Sequence, residues 1–219
     1  ACITAKAEAT QNYEADSATY VLAVEAAKIH IVGAKVDDKD YDGKVAADVT
    51  SVSFADENNN ILDGLVFPDD YTAVGSFSDE NAGEGKDVTV RVSLLNENYE
   101  LIGDVTCTTT ATINKKPISI GNAAAVDRNY EKDKTSVEIS VTFNGATLIK
   151  GTDYNVTGKM DDDNAGTKDV AVEVTLINKA ADNYILADNK TTTTVTINRV
   201  TTEITAASEQ TIVKNGVAV

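Results

Sequence analysis

Tryptophan is absent from this chain, and its 219 residues hold one histidine, one methionine, two prolines and two cysteines. Each shortage excludes something. Cys2 and Cys107 form no CxxC and have no histidine near them in sequence, which argues against a zinc site. They read as buried free thiols, with a Cys2–Cys107 disulfide left open. His30 stands opposite the apolar Ile29/Ile31 face and is expected to be exposed. No Ser-His-Asp or Cys-His arrangement can be assembled around it. Basic residues are also scarce, 19 against 35 acidic ones, for a formal charge of −16. Nucleic acid needs a Lys/Arg field and is excluded as a partner, as is an anionic membrane surface. No apolar run reaches the length of a membrane span, and the first residues do not read as a signal peptide, so no membrane insertion is expected. Aromatics are 5% of a chain that is 42% hydrophobic, so the core falls to Val, Ile, Leu and Ala in a globular protein.

What the chain does have is repetition. DENAGEGKDVTVRVSL at 79–94 returns as DDNAGTKDVAVEVTL at 162–176, and TTTATIN at 108–114 returns as TTTVTIN at 192–198. Ile29, Tyr41 and Phe54 meet Ile118, Tyr130 and Phe143 at one constant spacing, which then shortens through the later turns. The folding unit is therefore about 80–90 residues long and occurs more than once.

Inside each copy the apolar period is two. Val88, Val90, Val92 and Leu94 alternate with polar residues, as do Val170, Val172, Val174 and Leu176. Val137–Phe143 and Val105–Ile113 follow the same pattern, with Thr on the outer face of the latter. Such alternation marks half-buried antiparallel strands. Asn144-Gly145 reads as a tight hairpin, with Asn58-Asn59-Asn60 at the matching place in the first copy. No helix is expected inside either copy. The Ala-rich stretch 18–28 is assigned to strand over helix because its counterpart TTTATIN reads as strand. The fold expected is all-β, with tandem Ig-like antiparallel β-sandwich repeats. Residues 1–27 read as the C-terminal half of a preceding repeat, 28–116 and 117–199 as two full repeats, and 200–219 as the start of a further unit or a tail. Thr202–Thr205 is the expected new first strand. Almost no linker separates the copies at NKKPISI, so a stiff rod is expected.

DYDGKVAADV at 40–49, FSDENAGEGKDVTV at 77–90 and TTTATINKKPISI at 108–120 together resemble the YDG-type repeats of bacterial cell-surface proteins. The first copy, about 28–117, carries the Tyr-Asp-Gly triplet at 41–43. The second keeps Asn-Ala-Gly and the Thr run but has Tyr130-Glu131-Lys132 instead. The resemblance implies repetitive, secreted or wall-attached, adhesin-like proteins, and it supplies no catalytic residues.

Several residues suggest chemistry. Asp38, Asp40, Asp42 and Gly43 spell the opening of a calcium loop, although the twelfth position that should be Glu is Val49. A calcium site and an acidic inter-domain turn with Tyr41 in the core are both consistent with this. Asp161-Asp162-Asp163 reads as a solvated loop. Asn98-Tyr99, Asn183-Tyr184 and Asn12-Tyr13 recur, read here as core tyrosines, with a carbohydrate platform as the alternative. A Lys–Asn amide near Asn114, Lys115 and Lys116 is a further option that no spacing selects. No enzymatic constellation emerges. The function expected is a structural stalk or display segment of a bacterial cell-surface protein, extracellular or in the cell wall. Its partners would be neighbouring repeats of the same chain and a host or cell-wall glycan or protein. The alternatives are a carbohydrate- or protein-binding module and an accessory domain of a surface enzyme.

Overall fold

A computed structural model describes residues 2–203, together with the backbone of 213–214 and 217–218. The chain divides into two compact units, Ala1–Lys116 and Pro117–Val219. Among the described residues the fold is all-β apart from one short helix.

Unit 1 opens with a hairpin, β1 (Cys2–Ala7) and β2 (Asp16–Val21). Residues 22–26 are irregular, so the Ala-rich stretch is strand only at its two ends. Then come β3 (Ala27–Val36), β4 (Lys39–Asp40), β5 (Ala46–Ala47), β6 (Val49–Asp56) and β7 (Ile61–Leu62). They are followed by β8 (Tyr71–Phe77), β9 (Gly83–Leu94), β10 (Tyr99–Leu101) and β11 (Thr106–Asn114). Two sheets result, in the orders β10-β3-β6-β7 and β4-β11-β9-β8-β5.

The second set begins at Lys116 with β12 (Lys116–Ala125), then β13 (Arg128–Asn129), β14 (Ser136–Val137), β15 (Ile139–Asn144) and β16 (Tyr154–Lys159). It continues with β17 (Gly166–Leu176), α1 (Asn178–Asn183), β18 (Tyr184–Leu186) and β19 (Lys190–Asn198), and with β20 (Val213–Lys214) paired to β21 (Val217–Ala218). Its sheets run β15-β12-β18 and β13-β19-β17-β16-β14, the latter matching the five-stranded order of unit 1 strand for strand. Of the strand expected at Thr202–Thr205, residues 202 and 203 lie outside regular structure and the rest lies outside the described residues. The reading of 200–219 as the start of a unit falls mostly on the same residues.

The period-two runs place their apolar faces as expected. Val88, Val90 and Val92 of β9 meet Ile29 of β3 and Phe54 of β6 in one core, and Val170, Val172 and Val174 of β17 meet Ile139 and Val141 of β15 in another. Each fully buried aliphatic side chain contributes about 1.5–3 kcal/mol. Both sheets of a unit therefore close over a single apolar layer.

The run Val137–Phe143 is not one strand. It leaves the five-stranded sheet after β14 and joins the other sheet as β15, with the Glu138 carbonyl accepting from Val126 N–H. β5 and β6 switch sheets in the same way around Asp48, whose carbonyl accepts from Asp37 N–H. The crossing strand leaves no room for a side chain on the strand beside it, β8 in unit 1 and β16 in unit 2. A Cβ on Gly75 would lie 2.9 Å from the Ala47 carbonyl, and one on Gly158 would run into the Ile139 side chain. The glycines are therefore required at these points by close approach.

Four expectations need correction. First, the second copy contains a helix, α1. The spacing between copies lengthens between Leu176 and Tyr184, and the added residues, Lys179 and two alanines among them, are good helix formers. Second, Asn144-Gly145 is not a tight hairpin, because no strand follows it until Tyr154. At the matching place in unit 1, the Asp56 carboxylate accepts from Asn58 N–H, Asn60 N–H and the Asn60 amide, and β6 and β7 do pair there. Gly145 stands where Asp56 would, so that acceptor is missing. Third, His30 is half-buried, because β3 is covered on more than its Ile29 face. Fourth, both cysteines are free as expected, but Cys2 is exposed on the hairpin and Cys107 is only half-buried. Burial raises the Cys107 thiol pKa.

Candidate functional site

The triplet Tyr41-Asp42-Gly43 follows β4 at the edge of the five-stranded sheet. Tyr41 N–H donates to Asn114 O at 2.9 Å, extending the β4–β11 pairing, and the half-buried ring packs on the core. Asp42 Oδ1 accepts from Lys44 N–H at 2.9 Å, the side-chain-to-backbone bond typical of an aspartate turn. Gly43 has φ +72°, a left-handed conformation that a side chain strains.

Lys39 organises this turn. Its ammonium donates to Asp42 Oδ1 at 2.7 Å, Lys44 O at 2.7 Å and Ala46 O at 3.0 Å. An ammonium has three donors, and all three are engaged. The Nζ sits 5.7 Å from the centroid of the Phe77 ring, within cation–π reach. The lysine ammonium beside Asp42 holds its carboxyl below the usual aspartate range. Oxygens that would suit a bound cation thus surround a cation supplied by the chain itself.

The three aspartates of the calcium-like stretch do not converge. Asp38 Oδ1 accepts from Thr112 N–H at 2.6 Å, where the β9–β11 register shifts and leaves that N–H outside the ladder. Asp40 is exposed in β4, opposite Asn114. Asp42 faces Lys39. Among the described residues, no group of three or more His, Cys, Asp or Glu side chains is placed to hold a metal ion.

Unit 2 builds an equivalent turn from other residues. Arg128 takes the place of Lys39 and donates to Asn129 O at 3.0 Å and to Lys134 O. Its buried Nε has no partner, so the replacement is incomplete. Glu131 pairs with Lys134 at 2.6 Å, and the left-handed residue is Asp133, with φ 62°. The loss of Tyr-Asp-Gly in the second copy therefore leaves a cation in the turn. Asp127 repeats the role of Asp38, accepting from Thr196 N–H at 2.8 Å.

The repeated Asp-x-Asn-Ala-Gly segment is also a clamp. Asp79 Oδ1 accepts from Asn81 N–H at 2.8 Å and from the Lys86 ammonium at 2.7 Å. Asp162 Oδ1 accepts from Asn164 N–H at 2.8 Å and from Lys168 at 2.7 Å. The acidic cluster 161–163 is thus partly committed, since Asp163 Oδ2 also accepts from Asp133 N–H.

Sequence reasoning missed two features. The cation at 39 and 128 was visible only as a charge shared by both copies. Tyr71 and Tyr154 were overlooked in favour of the Asn-Tyr pairs. They stack edge-on with Phe54 and Phe143 at 5.0 and 4.9 Å, and their hydroxyls bond Val52 N–H and Val141 O. Of the Asn-Tyr pairs, Tyr99 packs against the unit 1 core and Tyr184 is half-buried, whereas Tyr13 is 78% exposed.

These carboxylates carry a pH prediction. Lysine ammoniums lower the pKa of Asp42 and Asp79 in unit 1 and of Glu131 and Asp162 in unit 2, the Asn60 side-chain amide and turn N–H groups lower that of Asp56, and Val66 N–H with the Asn96 amide lowers that of Asp70. A lowered folded pKa means the unfolded chain binds protons first. The stabilisation is complete above the ordinary carboxylate value and is lost as pH falls below about 4. Unit 1 holds more of these groups, so hydrogen exchange between pH 5 and 3 should show it weakening first. Simultaneous weakening would contradict this.

An all-β unit with clamped turns and an internal cation is the class these features define. Residues 25–111 form a YDG domain, matched by the family model of that description, and lie wholly within unit 1. No curated protein matches the chain.

Proposed function

We propose that the chain is a series of tandem Ig-like sandwich units acting as a non-enzymatic stalk or display segment of a bacterial cell-surface protein. One observation carries the reading. The two units repeat the same five-strand order and the same turn clamps, and the recurrent polar residues bond their own backbone. Repetition of this kind maintains a scaffold. Residues 28–116 and 117–199 are the full units in this reading. The location is extracellular or in the wall, with neighbouring units as the first partners.

A carbohydrate- or protein-binding role is the second reading, favoured by a shallow depression on the outer face of the unit 2 sheet. Thr157, Lys159, Glu173, Lys190 and Thr192 line it. Antibodies raised against the 219-residue chain test the main reading on cells that express the native protein. Labelling of intact cells is expected. Labelling only after lysis would remove the surface assignment.

A further inference from the structure

Apolar side chains lie open on the β1–β2 hairpin and in the irregular segment that follows it. Ile3 is 59% exposed, Tyr20 67% and Val24 82%. No hairpin residue belongs to the core of unit 1.

The hairpin has the register of a strand pair that is covered in both units. Ile3 opposes Tyr20 and Ala5 opposes Ala18. In β9–β11, Val88 opposes Thr109 and Val90 opposes Cys107. In β17–β19, Val170 opposes Thr193 and Val172 opposes Thr191. The outward faces correspond as well, with Thr4 opposite Thr19 where Thr89 opposes Thr108. Continuing along the chain, Val24 falls at the place of Ile113, which is 1% exposed. Strand alternation puts Ile3, Ala5, Ala18 and Tyr20 on one face, the face that Val88 and Val90 turn to the core.

In both units that face is covered by the first half of the same unit. Ile29 of β3 and Phe54 of β6 cover β9, and Ile139 of β15 with Ile120 of β12 covers β17. The strand feeding β9 is β8, which pairs antiparallel along it, as β16 does along β17. Among the described residues the corresponding edge of β1 carries no strand, since β1 pairs with β2 alone.

We infer that β1–β2 is the closing half of a further unit, and that its open face and the free edge of β1 accept a segment of β3–β8 type entering from the N-terminal side of β1. This rests on reading the chain as like units in series, but needs neither a surface location nor a stalk role.

The test is a chimera in which a second copy of residues 27–85 is fused ahead of residue 1, so that residue 1 follows where Lys86 would. Hydrogen exchange at β1 and β2 amides should slow by about 100-fold or more relative to the 219-residue chain. Tyr20→Asp with Val24→Asp in the chimera should abolish that protection while both original units keep theirs. Hairpin amides that exchange equally fast in the chimera and the parent would overturn the inference. So would a concentration-dependent dimer of the parent with a protected hairpin, since a second copy would then be the occupant. A measurement on the parent does not depend on the chimera folding. Ile3→Ser, Tyr20→Ser and Val24→Ser together should reduce binding of an apolar fluorescent dye and leave both unit transitions in place. Unchanged dye binding would contradict an open apolar face. An unprotected hairpin leaves the surface location standing, and absent surface labelling leaves the hairpin result standing.

Discussion

Phe54→Ala should cost unit 1 about 3–5 kcal/mol. Phe54 is 1% exposed, lies edge-on to Tyr71, and joins the two sheets through the core they share. A domain is stable by about 5–15 kcal/mol in total, so the variant unit approaches unfolding under ordinary conditions. Its counterpart Phe143 makes the same ring contact with Tyr154 but is only half-buried. Phe143→Ala should therefore cost unit 2 less, because fewer contacts are lost and water reaches the vacated space. Denaturant titration with unit-resolved hydrogen exchange separates the two. Equal losses would show that the half-exposed ring contributes more than its burial implies.

The second large effect is expected at Lys39. Lys39→Met keeps an apolar side chain of similar length and removes the ammonium that Asp42 Oδ1, Lys44 O and Ala46 O share. Charge-assisted hydrogen bonds contribute about 1.5–3 kcal/mol. The Asp42 side chain is 48% exposed, so water recovers part of that. A loss of about 1–2 kcal/mol from unit 1 is expected, with faster exchange at Lys44 and nearby amides. Lys39→Arg should lose less, since Arg128 fills the same place in unit 2. Asp42→Ala combined with Lys39→Met should cost less than the two separate losses added, because each removes the other's partner. Strict additivity would mean that the Lys39 ammonium and the Asp42 carboxylate act independently of each other.

How much of this was legible depended on the range of the interaction. Alternation along Val88–Leu94 and Val170–Leu176 is a local property, and those strands form with the apolar faces inward as read. The sheet switches at Asp48 and Glu138 are not local. A run such as Val137–Phe143 keeps its period of two across the switch, so alternation cannot show that its halves join different sheets. Gly75 and Gly158 marked those crossings, but a strand glycine has several readings. The Lys39 turn was hidden for another reason. Two of its three acceptors are backbone carbonyls, and every residue carries one. Asp38, Asp40 and Asp42 suggested a metal by spacing, whereas the fold sends Asp38 to Thr112, far along the chain. The short helix α1 came from extra residues between copies, visible as a change of spacing but not of composition.

The pairing of β4 with β11 has a mechanical consequence. The two-sheet body of unit 1 is entered at β3 and left at the end of β11, and β4 runs parallel to β11 with Lys39 opposite Ile113 and Asp40 opposite Asn114. Tension drawing the two ends apart pulls these parallel strands in opposite directions. The hydrogen bonds between them, with that from Tyr41 N–H to Asn114 O, then carry the load together in shear and do not open one at a time. β13 and β19 repeat the arrangement in unit 2, with Arg128 opposite Ile197 and Asn129 opposite Asn198. Each unit therefore has a short parallel latch on its last strand, and Lys39 braces the turn beside the first of them.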